Sequence, residues 1–112
     1  MEIKVESMKR CELITLSGQI DTFTAPKLDE TLVGLIESGK RNFVINLRDV
    51  TFVSSAGLRA VLGAQVKVRK RIPKGEIVIS EISADLDETF DLVGLKPLFR
   101  FYEGDVEAVG SF

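Results

Sequence analysis

Apolar and polar residues change rhythm along this chain, from alternation to helical spacing and back, and each change marks an element. Residues 2–7 and 11–17 alternate around Met8-Lys9-Arg10, which predicts an antiparallel hairpin. Leu28, Leu32, Leu35 and Ile36 then recur at helical spacing. A helix is therefore expected from Ala25, with Thr24 as its cap, Pro26 in its first turn and Gly39 at its end. Phe43 to Leu47 is a short, β-rich apolar run of the kind found in strands covered on both faces. Leu58, Val61, Leu62 and Val66 return to helical spacing and predict a helix over 56–71, which Ile72-Pro73-Lys74-Gly75 breaks. A strand over 76–82, a helix opened by Asp85-Leu86-Asp87-Glu88 and closed by Gly94, a strand over 98–103 and a short helix over 105–109 complete the pattern. Strands alternating with helices imply an α/β domain with right-handed crossovers and a central mixed sheet of about four to five strands with about four helices.

The chain has 112 residues and no linker, repeat or low-complexity stretch, so residues 1–112 are read as one domain. With 15 basic against 17 acidic side chains and a net charge of −2, there is no overall attraction for nucleic acid, and a direct DNA role is disfavoured. No apolar run reaches the ~18 residues needed to span a bilayer, and the chain starts with the strand-like Glu2-Ile3-Lys4-Val5-Glu6. A cytoplasmic protein with no membrane partner is expected. Cys11 is the only cysteine and is expected to pack in a strand. Histidine is absent, which removes imidazole chemistry, the Ser-His-Asp and Cys-His arrangements and a Cys/His metal site.

Three motifs have a plainer explanation. Gly34 to Lys40 matches the start of a phosphate-binding loop, yet it ends a helix, and Arg41 stands where a hydroxyl should hold Mg²⁺. Asp85, Asp87 and Glu88 sit where acids complement the positive end of a helix dipole. Lys67, Arg69, Lys70, Arg71 and Lys74 cluster at a helix C-terminus, where cations complement the negative end, and no aromatic is interleaved among them.

The segment Asp49-Val50-Thr51-Phe52-Val53-Ser54-Ser55-Ala56-Gly57-Leu58-Arg59 joins a strand to a helix through two hydroxyls and a glycine. Here the first N–H groups of the helix lack intrahelical partners and the dipole end is positive. A serine caps such an end well, and a phosphate is stabilised there. On the segment alone, the commonest meaning of Ser54-Ser55 is an N-cap with its neighbour. Asp21 lies just past a strand end, on the edge where functional loops of α/β sheets gather, and a turn-stabilising role for it is equally open.

Phe52 to Arg59 resembles the Asp-Ser-Ser/Thr-Gly-Leu signature of the STAS domain family, the bacterial anti-sigma factor antagonists. Gly18-Gln19-Ile20-Asp21-Thr22-Phe23-Thr24-Ala25 is similar to the family's element after the second strand, and Phe90 to Phe101 to its C-terminal helix, Gly-Leu turn and last strand. Ser54 stands where the signature has Asp, Ala56 where it has Ser or Thr, and Arg59 where many members have Gly. The resemblance implies a protein-binding switch and not an enzyme. Unphosphorylated, it would bind an anti-sigma factor serine kinase and free a sigma factor; phosphorylation of Ser55 would end the binding, and a metal-dependent serine phosphatase would restore it. It implies no cofactor and no metal, and a partner surface of Asp21, Thr24, Ser54, Ser55, Ala56, Gly57, Leu58 and Arg59. A STAS module of a stress-sensing complex, or a nucleotide-binding or hydrolysing domain, is the alternative.

Overall fold

The computed structural model describes residues 1–112. Strand β1 (Glu2–Ser7) forms a hairpin with β2 (Glu12–Ile20), and helix α1 (Ala25–Glu37) leads into β3 (Asn42–Val53). Helix α2 (Ser55–Arg69), strand β4 (Glu76–Ser80), helix α3 (Ala84–Leu92), a 3₁₀ turn (Lys96–Leu98), strand β5 (Arg100–Tyr102) and helix α4 (Asp105–Gly110) follow. The five strands lie in chain order, with β1 antiparallel to β2 and every other pair parallel, so this is the expected mixed α/β sheet.

Alternation along the strands sends residues to two faces. Ile14 and Leu16 of β2, Phe43, Ile45 and Leu47 of β3, and Ile77 and Ile79 of β4 enter the main core with Leu28, Leu32 and Ile36 of α1 and Val61 and Val68 of α2. Phe90 of α3 closes this core edge-on against Phe99 and Phe101, with ring centroids 6.1 and 5.9 Å away. The other face carries a smaller cluster of Cys11, Leu13, Val44 and Val78 beneath Ala108 of α4. Cys11 sits in the bend before β2 and not in a strand, and its burial pushes the thiol pKa up.

Strand β3 differs most from expectation, running to Val53 where the apolar run predicts an end at Leu47. Its pairing with β2 shifts register twice, between Thr15 and Ser17 and again between Gly18 and Gln19, each time with an extra residue in β3. These bulges turn the period of two into three, so that Leu47, Val50 and Val53 all reach the main core while Arg48, Asp49, Thr51 and Phe52 face solvent. Beyond Asn46, β3 pairs with β2 alone. The extension carries the following turn past the end of β4.

Smaller differences have local causes. β4 stops at Ser80 because Glu81 takes a positive φ of 54°, and residues 96–98 form a 3₁₀ turn that shortens β5. Ser83, not Asp85, caps α3: its hydroxyl accepts from the Leu86 N–H at 3.3 Å, with Asp85 and Asp87 in the first turn. Gly39 ends α1 with φ +104°, and Lys40 pairs with Glu12 at 3.3 Å, so Gly34 to Lys40 forms no phosphate loop.

Candidate functional site

At the C-terminal edge of the parallel strands, the β2–α1 loop and the β3–α2 turn lie against each other, because the Ser54 N–H donates to the Ile20 carbonyl at 2.7 Å. Gly57, at N3 of α2, makes the approach possible. A Cβ there would lie 2.6 Å from Ile20 Cγ2 and 2.9 Å from Val53 Cγ1, closer than packed atoms tolerate.

The two serines have different tasks. Ser54 is the N-cap, with extended backbone, and its Oγ accepts from the Gly57 N–H at 3.2 Å. An aspartate would accept in the same way, so serine at this position keeps the cap and loses only the charge. Ser55 is the first helical residue and is exposed, one position later than a capping role requires. It and Ala56 carry the two first-turn N–H groups that neither the cap nor Ile20 takes. Ser54→Ala should cost about 1 kcal/mol, read as a lower urea midpoint at unchanged slope, while Ser55→Ala should leave stability nearly unaltered.

Thr24 is not a side-chain cap for α1. Its backbone is already helical, and its hydroxyl donates to the Gln19 carbonyl at 2.9 Å while accepting from the Asp21 N–H at 2.8 Å. Asp21 closes the loop, its Oδ1 accepting from the Phe23 and Thr24 N–H groups at 2.9 and 3.0 Å. These amides, Thr24 foremost, hold its carboxyl below the usual carboxylate range. A carboxyl depressed in the folded state stabilises above its unfolded pKa, and this stabilisation is lost as pH falls through the folded pKa. The stability profile of Asp21→Asn should therefore be flatter than that of the parent in this acid range.

Phe23 stands at the tip of this loop, 91% exposed. Across Ser55 and Arg59, an apolar groove of about 200 Å³ is lined by Leu58, Leu62, Val93 and Leu95. A second hollow of about 400 Å³, between α1 and α2, is bounded by Thr22, Pro26, Asp29, Ala56 and Arg59. Arg59 borders both and makes no ion pair. It lies four residues after Ser55, so the two side chains share one face of α2. Gly57 and Leu58, expected on the partner surface, are buried, because they pack α2 onto the ends of β2 and β3; only the edge of Leu58 reaches the groove. Sequence reasoning missed Phe23, Val93 and the 80% exposed Leu92 beside it. A phenylalanine between two threonines in a turn was the available signal, since no periodicity calls it inward.

No three His, Cys, Asp or Glu side chains are grouped to hold a metal ion, and no helix is long and apolar enough to cross a membrane. The family model for the STAS domain matches residues 2–108. This chain belongs to the STAS domain family. Its sequence is 28% identical over 104 residues to the anti-sigma-B factor antagonist of Staphylococcus aureus, covering 93% of this chain and 94% of that protein. The fold is that of the anti-sigma factor antagonist from Mycobacterium paratuberculosis, with a TM-score of 0.87, 24% identity and coverage of 98% of this chain and 92% of that one. It is also that of the Bacillus cell fate determinant SpoIIAA in its phosphorylated form, with a TM-score of 0.77, 20% identity and 98% of both chains covered. The STAS domain thus stands among the anti-sigma factor antagonists, regulatory proteins that act by binding and not by catalysis.

Proposed function

We propose that this STAS domain is a cytoplasmic anti-sigma factor antagonist that binds an anti-sigma serine kinase when unmodified, frees a sigma factor for transcription, and is switched off by phosphorylation of Ser55. A metal-dependent serine phosphatase would reset it. The observation that carries the reading is the division between the hydroxyls: Ser54 is held in the cap, whereas Ser55 is exposed on the first turn beside an unpaired Arg59. Phe23 on one side, Leu92 and Val93 on the other, and Asp21 and Thr24 behind supply the apolar anchors and polar rim of a binding surface.

Incubation with ATP and the candidate kinase, followed by intact-mass and peptide analysis, tests partner, chemistry and site together. Ser55→Ala should abolish the mass shift and Ser54→Ala should leave it. Phosphate on Ser54 alone would overturn the assignment.

Arg59 adds a second component. Four residues after Ser55, its guanidinium reaches a phosphate on that residue and can grip two of its oxygens. Unmodified, it meets acidic groups on the partner; modified, it is drawn onto the phosphoserine, and the surface loses a positive contact as it gains negative charge. Arg59→Ala should weaken binding of the unmodified form and narrow the affinity gap between the two forms, measured by calorimetry. An unchanged gap would reduce Arg59 to a solvated side chain.

A further inference from the structure

The end of the sheet opposite Ser55 has a different character. There the β1–β2 turn, the α1–β3 connection, the α2–β4 connection and the start of β5 meet, because β2 to β5 all run away from this edge. The connections are tied together. The Asn42 amide donates to the Arg10 carbonyl at 3.3 Å, and the Glu76 N–H donates to the Arg41 carbonyl at 3.0 Å.

Lys9, Arg41, Lys70, Lys74 and Arg100 converge on this edge, are all exposed, and have no carboxylate within ion-pair distance, while the exposed Arg10 beside them donates from Nη1 to the Phe112 main-chain oxygen at 3.1 Å. The acids nearby are already engaged: Glu12 with Lys40 at 3.3 Å, Glu76 with Arg69 at 2.8 Å, and Glu6 with Lys4 at 2.8 Å, which leaves Glu37. Hollows of about 440 and 270 Å³ open between the loops and share Asn42 and Phe112 as walls. Two loop tips also present apolar side chains among these cations. Ile72 is 99% exposed within Arg71-Ile72-Pro73-Lys74, and Met8 is 37% exposed ahead of Lys9 and Arg10.

We propose that this basic pole docks on an anionic lipid bilayer, with Ile72 entering the interface and the surrounding lysines and arginines meeting the headgroup phosphates. The apolar tip selects the bilayer among polyanions. Single-stranded nucleic acid is bound through aromatic stacking, and the one aromatic lining either hollow, Phe112, is partly buried against the α4-side core. Protein interfaces centre on aromatic anchors, and this surface exposes none and carries three lysines, a residue type such interfaces are depleted of. Basic clusters near an anionic leaflet are attracted roughly in proportion to their number, and an inserted aliphatic side chain adds its burial.

The net charge of −2 does not oppose this. The molecule measures 32 × 27 × 25 Å, so the acids at the far end stand beyond the Debye length of about 8 Å at physiological salt and are screened from the surface. The expectation of no membrane partner rested on the lack of a spanning segment, which peripheral docking does not need. Docked by this pole, the chain presents Ser55 away from the membrane.

Co-sedimentation of the whole chain with vesicles tests the proposal, using phosphatidylcholine alone or mixed with one-third phosphatidylglycerol. Binding is expected only to the mixed vesicles, falling steeply as salt is raised. The double variant Lys9→Glu, Lys74→Glu should bind at least tenfold more weakly, as an order-of-magnitude expectation. Ile72→Ser should lower affinity by roughly fivefold with the charge unchanged. All three side chains are exposed, and circular dichroism should show intact folds. Absence of binding, equal binding to both vesicle types, or an unaffected double variant would overturn the proposal. An unaffected Ile72→Ser variant, or tighter salt-sensitive retention on single-stranded oligonucleotide, would overturn the choice of a bilayer.

Discussion

Ser55→Asp is expected to weaken binding to the anti-sigma kinase by about a hundredfold, on the order of 2 to 3 kcal/mol, while Ser55→Ala binds as the parent does. The reason lies at the interface and not in the fold. A phosphoserine adds about −1.5 to −2 charge, and negative charge at N1 of a helix is favourable, so modification should strengthen α2. In the proposed switch the off-state therefore has to come from bulk and charge forced into the partner contact expected between Phe23 and the Val93 groove, where desolvation and like-charge repulsion would act together. Aspartate carries less charge than phosphate, so the phosphorylated protein should bind more weakly still. Calorimetry on the two variants and the phosphoprotein is the measurement, with thermal melting alongside. Equal affinity of Ser55→Ala and Ser55→Asp would defeat interface blocking. A phosphoprotein that melts well below the parent would place the switch in the helix instead.

The largest effect on stability is expected at Gln65. This side chain is 1% exposed in the middle of α2, and its Oε1 accepts the Ile77 N–H at 2.8 Å. Its Nε2 faces the Leu98 carbonyl at 2.8 Å and the Ile77 carbonyl and Glu76 carboxylate at 3.1 Å. One amide thus joins α2, the first residues of β4 and the turn before β5. Arg69 completes the joint, gripping both Glu76 oxygens at 3.0 and 2.8 Å and reaching the Leu98 carbonyl at 2.9 Å. Partial burial pushes the Glu76 carboxyl up, but the Arg69 and Gln65 bonds outweigh it and leave it below the usual range. Gln65→Ala strands a buried N–H and weakens the hold on Leu98, which together should cost about 2 to 4 kcal/mol. Urea titration should show a lower midpoint at unchanged slope. Gln65→Leu refills the volume but leaves the same N–H unpaired, so it should recover only part of the loss. Full recovery would mean that packing, and not hydrogen bonding, holds this joint.

Much of this protein was legible along the chain because it is written in short-range terms. Alternation in residues 2–7 and 11–17, helical spacing in Leu28 to Ile36 and Leu58 to Val66, and the break at Pro73 each depend on neighbours within a turn or two. They determine the hairpin, the helices and hence the α/β class. The junction at Ser54-Ser55 was equally visible, since a hydroxyl before a helical run is a local signal.

What only the tertiary structure decided depends on residues far apart in sequence. β3 continues to Val53 because two bulges against β2 keep Leu47, Val50 and Val53 facing the core, and the positions themselves show no alternation. That extension, with Gly57 pressed between Ile20 and Val53, brings the second serine out on the first turn while the first is held in the cap. Gln65 reads as a polar residue on a helix until Ile77 and Leu98 surround it. The basic run after Lys67 looks like helix-end charge until Arg69 is taken up by Glu76 and the remaining cations are seen to share an edge with Lys9, Arg10 and Arg41. In each case local sequence sets which element forms, and long-range pairing sets which of its residues face the core, a partner or water, because burial is a property of the assembled surface and not of the segment.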